Sequence, residues 1–131
     1  MLIKVLRIRN CKIRKLEIDL KLLKELRILD LRNNEFSNFP EGIEELINLE
    51  YLYLSENNIN SIPDTIYKLP HLKFLHLSGN DLNSIPDTIY KLSNLEYLYL
   101  SGNNNLNSIP DTIYKLSKLK YLEFRGNNVI G

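Results

Sequence analysis

The chain has 131 residues, a formal net charge of +1 at pH 7, and hydrophobic residues at 44% of its positions. This length suffices for one domain with its own core, and the balanced charge creates no overall field that would favour nucleic acid or a membrane surface. The single cysteine, Cys11, excludes an intrachain disulfide, and no apolar segment approaches the length of a membrane span.

The first residues, MLIKVLRIRNCK, place arginines where a secretory signal peptide needs an apolar run. We therefore expect a reducing compartment and a cytoplasmic location. Charge is nevertheless unevenly distributed along the chain. Residues 1–32 carry ten Lys or Arg and four Asp or Glu, whereas residues 33–131 carry seven and twelve. One end is basic and the remainder is acidic.

The phrase NSIPDTIYKL occurs three times without change, at residues 60–69, 83–92 and 107–116. It belongs to a longer unit of about 23 residues, whose first half follows the pattern L-x-x-L-x-L-x-x-N/C-x-L. The pattern predicts a single domain, residues 1–131, divided into units 3–25, 26–48, 49–71, 72–94, 95–118 and a partial unit 119–131.

Each unit predicts a short strand followed by a short helical turn. In the third unit, Leu52 and Leu54 alternate with polar or aromatic residues, as in a strand with one buried face. Further along, Ile66 and Leu69 stand three residues apart, and Pro63 suits the first position of one turn of α- or 3₁₀-helix. Because neither piece is stable alone, each unit must bury its leucines against its neighbours.

These units resemble the leucine-rich repeat family over essentially the whole chain, with six successive matches in register. The 23-residue length and the I-P-x-x-I-x-x-L second half are most similar to intracellular Ras-group repeats and related bacterial arrays. The resemblance implies an α/β solenoid wound as a right-handed superhelix. It also implies a parallel β-sheet on the concave face, short helical or 3₁₀ turns on the convex face, and a protein-binding role.

One column of the repeat is polar although it follows the leucines. Its members are Cys11, Asn34, Asn57, Asn80, Asn103 and Asn127. A side-chain amide offers a donor and an acceptor to backbone groups that leave the strand, where an unpaired buried group costs about 1–3 kcal/mol. We therefore predict a structural asparagine ladder with Cys11 as a buried member; a reactive Cys11 thiol is the alternative.

The sequence carries no catalytic, cofactor or metal-binding motif. It lacks a Ser/His/Asp set, Cys-x-x-Cys, His-Glu-x-x-His and a Gly-rich phosphate loop. The acidic column Asp64, Asp87 and Asp111 is interpreted as polarity at the start of each helical turn, and Tyr67, Tyr90 and Tyr114 as packing over the convex turns. We expect a protein that is not an enzyme and that uses no cofactor or metal.

The solvent-facing strand positions provide the candidate binding residues. Neighbouring strands lie about 4.8 Å apart, so residues of one column nearly touch. The first column runs Val5, Ile28, Tyr51, Phe74, Tyr97, Tyr121; the second runs Arg7, Asp30, Tyr53, His76, Tyr99, Glu123; the third runs Arg9, Arg32, Ser55, Ser78, Ser101, Arg125. The aromatic floor is the predicted surface formed by Tyr51, Tyr53, Phe74, His76, Tyr97, Tyr99 and Tyr121.

Charged residues lie at the ends of this floor, with Arg7, Arg9, Arg32 and Asp30 at one end and Glu123 at the other. We predict that this concave face binds a protein partner with an apolar ridge and an acidic end, as an adaptor or scaffold would. The alternative is that the rings are filler on the sheet, because aromatic residues suit strands in any case.

Other functions remain open. The chain would also suit the substrate-recognition fragment of a larger signalling protein or ubiquitin ligase. The basic first unit, with Lys4, Arg7, Arg9, Lys12, Arg14 and Lys15, is an alternative site for a polyanion or glycan, although nucleic-acid binding is not expected without aromatic residues around it. Neither end shows a polar capping unit, so a homo-oligomer formed through the ends is a further alternative.

Overall fold

The computed structural model describes residues 2–125, which form six strands separated by loops and short 3₁₀ helices. The strands are β1 (Val5–Arg7), β2 (Ile28–Asp30), β3 (Tyr51–Tyr53), β4 (Phe74–His76), β5 (Tyr97–Tyr99) and β6 (Tyr121–Glu123). All six join one sheet in chain order, and every neighbouring pair is parallel. The predicted solenoid with a parallel sheet is confirmed.

The register of the sheet follows the sequence repeat. The central leucine of each strand pairs with the central leucine of the next, so that Leu52 stands between Leu29 and Leu75. The backbone ladder continues past the strands, because the Glu56 amide donates to the Ser78 carbonyl at 2.9 Å. Every predicted column therefore stays aligned through the described units.

Five 3₁₀ helices occupy the second half of the described units, at Leu20–Leu23, Ile43–Glu45, Asp64–Lys68, Asp87–Lys91 and Asp111–Lys115. The expected position of Pro63 is wrong by one residue, because it precedes the helix and does not open it. With ψ at 146°, Pro63 is extended, and its carbonyl accepts the Ile66 amide at 3.1 Å. Its fixed φ thus sets the direction in which the chain enters the helix.

The aliphatic core is one cluster of buried residues that come from both the strands and the helices. Leu52, Leu75 and Ile66 are 0% exposed. The outer units are less covered, and Ile3 and Leu122 are each 38% exposed. A leucine is therefore buried only where a second unit stacks on it, as the instability of isolated short segments requires.

The asparagine column forms the predicted ladder in the described units. Asn80 illustrates its geometry: Nδ2 donates to the carbonyls of Leu54 at 2.9 Å and Leu77 at 3.1 Å, while Oδ1 accepts the Ile59 amide at 2.9 Å. Leu54 and Ile59 belong to the preceding unit. Each amide therefore ties its own turn to the unit before it, where strand pairing has ended. Asn127 lies outside the described residues.

Cys11 departs from this pattern, and the prediction that it is buried is wrong. It stands in the ladder column, and its amide donates to Oδ1 of Asn34 at 3.0 Å, but its side chain is exposed. The thiol donates to the Arg9 carbonyl at 3.1 Å. A ladder side chain is buried by the preceding unit, and the described residues before β1 are only residues 2–4.

Replacement of Asn80 by leucine tests the ladder. The variant leaves the buried Ile59 amide without its partner, which costs about 1–3 kcal/mol. It also removes one of the two amide donors from each of the Leu54 and Leu77 carbonyls, at about 0.5–1.5 kcal/mol per hydrogen bond. We expect a loss of about 2–5 kcal/mol in the free energy of unfolding, measured with urea and circular dichroism. The control is Asn58, an exposed asparagine that directly follows the ladder residue of the preceding unit. Asn58→Leu should change this free energy by less than about 0.5 kcal/mol. Equal losses in both variants would contradict the ladder.

Candidate functional site

The structure joins all seven rings of the aromatic floor into one connected network of ring contacts. Phe74 lies near the middle, with ring centroids at 4.9 Å from Tyr53 and 5.1 Å from Tyr99. His76 lies 4.9 Å from Tyr99, and Tyr121 continues the surface at 5.2 Å from Tyr99. Tyr51 and Tyr97 flank Phe74, each at 5.9 Å.

The floor is a fixed surface because its rings pack diagonally between neighbouring strands. Ring planes are tilted by 36° to 41° for most pairs, and the Phe74 and His76 rings meet edge to face at 86°. Such arrangements suit the ring quadrupoles and contribute about 0.5–1.5 kcal/mol per pair beyond burial. Most of the rings are half-buried, so each is held by its neighbours and still presents surface to solvent.

Arg7, Arg9 and Arg32 converge on Asp30 at the β1–β2 end of the floor, and these four residues form the arginine cluster. The Asp30 side chain is 0% exposed although it lies on the outer face of the sheet. Arg32 donates two hydrogen bonds to it, from Nε at 3.0 Å and from Nη2 at 2.8 Å, in the bidentate geometry that a guanidinium and a carboxylate share. Arg7 contributes Nη1 at 3.1 Å, and Arg9 contributes Nε at 3.6 Å.

The arginines keep Asp30 ionised. Burial raises the pKa of Asp30, but hydrogen bonds from the Arg32 side chain and backbone, its charge, and a hydrogen bond from Arg7 together hold this pKa below its ordinary value of 3.8. The same contact with Asp30 raises the pKa of Arg32. At neutral pH the cluster therefore contains three cations and one anion.

The arginine cluster and the aromatic floor form one continuous surface. The guanidinium carbon of Arg32 lies 4.7 Å from the centre of the Tyr53 ring, within the range of a cation–π contact. Glu123, the predicted acidic group at the opposite end, follows Tyr121 on β6. The structure thus assembles the predicted face from its predicted residues, although Asp30 is covered by the arginines and does not itself offer a surface.

Two models of one sequence family match the chain. The model described as "Leucine rich repeat" matches residues 24–82, and the model described as "Leucine-rich repeat region" matches residues 64–130. The chain belongs to the leucine-rich repeat family. The Ras-group or bacterial subtype of the repeat stays a prediction. The search of curated protein sequences finds no match.

Solved leucine-rich repeat structures share the fold. A leucine-rich repeat protein of Leptospira interrogans is 34% identical with a TM-score of 0.82, and the match covers 89% of this chain and 30% of that one. An internalin of Listeria monocytogenes is 23% identical with a TM-score of 0.83, and the match covers 98% of this chain and 36% of that one. A chain of the BIR3–SERK2 complex of Arabidopsis thaliana is 34% identical with a TM-score of 0.78, and the match covers 96% of this chain and 69% of that one. This chain therefore spans well under two thirds of the two bacterial structures.

A column of charged residues borders the floor, with signs that alternate from Arg27 onward, and the sequence analysis missed it. It occupies the position just before each strand of the leucine-rich repeat and runs Lys4, Arg27, Glu50, Lys73, Glu96, Lys120. Glu50 lies between Arg27 at 3.4 Å and Lys73 at 3.3 Å, and Lys120 meets Glu96 at 3.0 Å. Comparison of the residues just before each strand, from one repeat to the next, would have revealed these charges in the sequence.

The opposite face of the leucine-rich repeat carries the tyrosine column predicted to pack over the helical turns. Each lysine covers the tyrosine of the preceding unit, with Lys91 at 5.0 Å from the Tyr67 ring and Lys115 at 5.1 Å from the Tyr90 ring. Tyr114 differs, because it is 88% exposed. In both pairs the lysine ammonium group lies over the ring, within the range of a cation–π contact.

Within residues 2–125, no group of three or more His, Cys, Asp or Glu side chains is arranged to hold a metal ion. Over the same residues, no helix has the length and apolar character needed to cross a bilayer. The candidate functional surface of this leucine-rich repeat is therefore described by its rings and its charges.

His76 contributes an imidazole ring to the aromatic floor. Burial lowers its pKa below the ordinary value of 6.5, the charge of Arg32 lowers it further, and Glu123 and Asp30 partly oppose these effects. His76 is therefore neutral at pH 7 and packs as an aromatic ring. Protonation would place a cation among the half-buried rings of Tyr53, Phe74 and Tyr99.

The stability of the protein should fall on mild acidification because of His76. Its pKa is lower in the folded than in the unfolded chain, so the His76 contribution is present above about pH 6.5 and is lost as the pH falls through the folded pKa. Urea unfolding of the wild type and His76→Phe at several pH values should show a pH-dependent loss that only the wild type has. His71→Gln is the control for loss of a histidine outside the floor, and a loss that disappears with His71 would contradict the assignment.

Proposed function

We propose that this leucine-rich repeat chain is a non-catalytic protein-interaction module, an adaptor or scaffold, that binds its partner on the aromatic floor. One observation supports the proposal most: the seven rings form one connected network of contacts before any partner binds. Rigid tyrosine rings give large contact area with little loss of side-chain entropy, and tyrosine is enriched among interface hot spots.

The area of the floor also favours a protein partner. A large aromatic side chain offers about 150–250 Å² of buriable surface, so even a partly exposed set of seven approaches the patch sizes that mark interaction sites. Burial raises the pKa of Tyr99 above its ordinary value of 10.0, and Tyr121, Glu123 and other neighbouring tyrosines raise it further, so this phenol is uncharged at neutral pH. One of the matched structures is itself a complex of two proteins, which agrees with a binding role for this fold.

Replacement of Tyr53 and Tyr99 by serine should abolish partner binding. Truncation of a hot-spot ring costs about 2 kcal/mol or more in binding free energy, so the double variant should lose at least a hundredfold in affinity. Immobilised wild-type chain captures partners from a lysate of the source cells, mass spectrometry identifies them, and calorimetry compares the variants.

The matched control is Tyr67→Ser with Tyr114→Ser on the opposite face, which removes the same two side chains away from the floor. The floor variant also loses ring contacts worth about 0.5–1.5 kcal/mol each, so thermal melting must show that both variants are folded. Full affinity in the Tyr53/Tyr99 variant, or its loss in the Tyr67/Tyr114 variant, would refute the location of the site.

A second candidate function is substrate recognition within a larger signalling protein or ubiquitin ligase. The observation that favours it is that the chain spans 30% and 36% of the two bacterial structures. An open reading frame that continues beyond residue 131 at the genomic locus would support this candidate. A stop codon at that position would favour the separate adaptor.

We also propose a cytoplasmic location. Cys11 is exposed, and an exposed free thiol is better tolerated where thiols are kept reduced. Fractionation of source cells with an antibody against the chain would test the location. Recovery in a secreted fraction would contradict it.

Association of the chain with itself through its ends stays a prediction from the sequence. If β1 of a second copy continued the sheet in register after β6, Glu123 would stand opposite Arg7 in the second column, which is a complementary pair of charges. The same arrangement would also set Lys120 against Lys4 and Arg125 against Arg9. Opposed like charges destabilise strand pairing, so we give the partner-binding face priority.

A further inference from the structure

The arginine cluster carries two positive charges that the structure does not neutralise. Asp30 is the shared partner of Arg7, Arg9 and Arg32, and among residues 2–125 no second carboxylate forms an ion pair with any of the three. Three guanidinium groups held around one carboxylate repel one another, and a second anion would relieve that repulsion.

The cluster is built so that the arginines keep donors available. Each guanidinium has five N–H donors, and Asp30 takes two from Arg32 and one from Arg7. The side chains of Arg7, Arg9 and Arg32 are 44%, 49% and 33% exposed, so all three remain accessible to a ligand from solvent. Asp30 lies beneath them and fixes their positions, while its own oxygens are closed to a ligand.

The position of the cluster decides what kind of anion fits. Because Arg32 lies over Tyr53, an anion bound there would sit next to the first ring of the aromatic floor. Beyond it, the half-buried second column contains His76, Tyr99 and Glu123, and this column has no further lysine or arginine. Residues 33–131 carry seven basic and twelve acidic residues, which opposes a long polyanion along the same surface.

We propose that the arginine cluster is the receptor for a single acidic side chain of a partner peptide, whose neighbouring apolar side chains lie on the aromatic floor. The partner carboxylate binds the free guanidinium donors of Arg7 and Arg9, in the paired geometry that guanidinium and carboxylate groups share. Asp30 is a positioning residue in this arrangement. The inference rests on the proposed function, because it uses the floor as the binding surface for the rest of the peptide.

Selection from a phage-displayed library of random dodecapeptides tests the proposal. Peptides selected on the wild type should contain Asp or Glu beside apolar or aromatic residues. Arg9→Gln removes the most exposed side chain of the cluster, which also makes the longest of the three contacts with Asp30. On this variant the enrichment of acidic residues should disappear while that of apolar residues remains. Arg125→Gln is the matched control, since it removes an arginine from the same column at the other end of the sheet.

A selected peptide, labelled with a fluorophore, then gives affinities by anisotropy. Its twin with glutamine in place of the acidic residue should bind the wild type about tenfold more weakly, and the two peptides should bind Arg9→Gln alike. Asp30→Asn separates positioning from charge. It makes the chain more positive, so a purely electrostatic site would bind the acidic peptide more tightly, whereas a positioning role predicts weaker binding. Circular dichroism establishes that each variant is folded.

The possible results separate this inference from the proposed function. Selected peptides that are apolar but show no acidic preference would overturn the carboxylate receptor and leave the floor as the binding surface. Selection of no peptide by the wild type would overturn both. Peptides rich in acidic residues without apolar ones, with affinity that falls steeply with salt, would indicate polyanion binding and overturn the proposal. Selective binding of a phosphopeptide over its carboxylate equivalent would also overturn it.

Discussion

The whole structure depends on the alignment of the aliphatic columns from one unit to the next. Leu52, Leu75 and Leu98 are each 0% exposed, and each is covered by the equivalent residue on both sides. The inserted residue of the fifth unit shows how strict this alignment is. The step from Leu75 to Leu98 is 23 residues and the step from Leu98 to Leu122 is 24, yet both pairs stand directly opposite in the sheet. The extra residue is accommodated in the loop after Asn103, where the Leu106 amide donates to the Asn103 carbonyl.

The same alignment produces the candidate binding surface. A residue on the outer face of one strand lies beside its equivalent about 23 residues away, so similar side chains at one repeat position become a surface. Tyr51, Phe74 and Tyr97 are neighbours for this reason, and so are Arg7 and Asp30. The alternating charges before the strands obey the same rule, since Glu50 pairs with residues one unit away on both sides. Changes in repeat length outside the loops would separate these neighbours and remove the surface together with the core.

Sequence periodicity was sufficient to predict the strands, their register, the asparagine ladder and which rings adjoin, because each follows from the position of a residue within its unit. The errors concern properties that depend on neighbouring units or on side-chain conformations. Cys11 has the ladder position, but only residues 2–4 are described before β1, and within the described residues its side chain is exposed, unlike those of Asn34 and Asn57. Asp30 was placed correctly on the sheet, yet its complete burial depends on how Arg7 and Arg32 fold over it. A repeat pattern contains no information on such conformations.

Asp30 interrupts the aromatic residues of its column and so makes the two ends of the repetitive surface different. At its position the next three units carry Tyr53, His76 and Tyr99, so an aromatic residue there would simply have extended the floor. A buried carboxylate with its cations is weak evidence for added stability, because desolvation offsets much of the attraction. Its clearer consequence is geometric, since it holds guanidinium groups at one end of the floor while Glu123 marks the other. A floor of equivalent rings would accept an extended peptide in either orientation, and two unlike ends make the orientations unequal in energy.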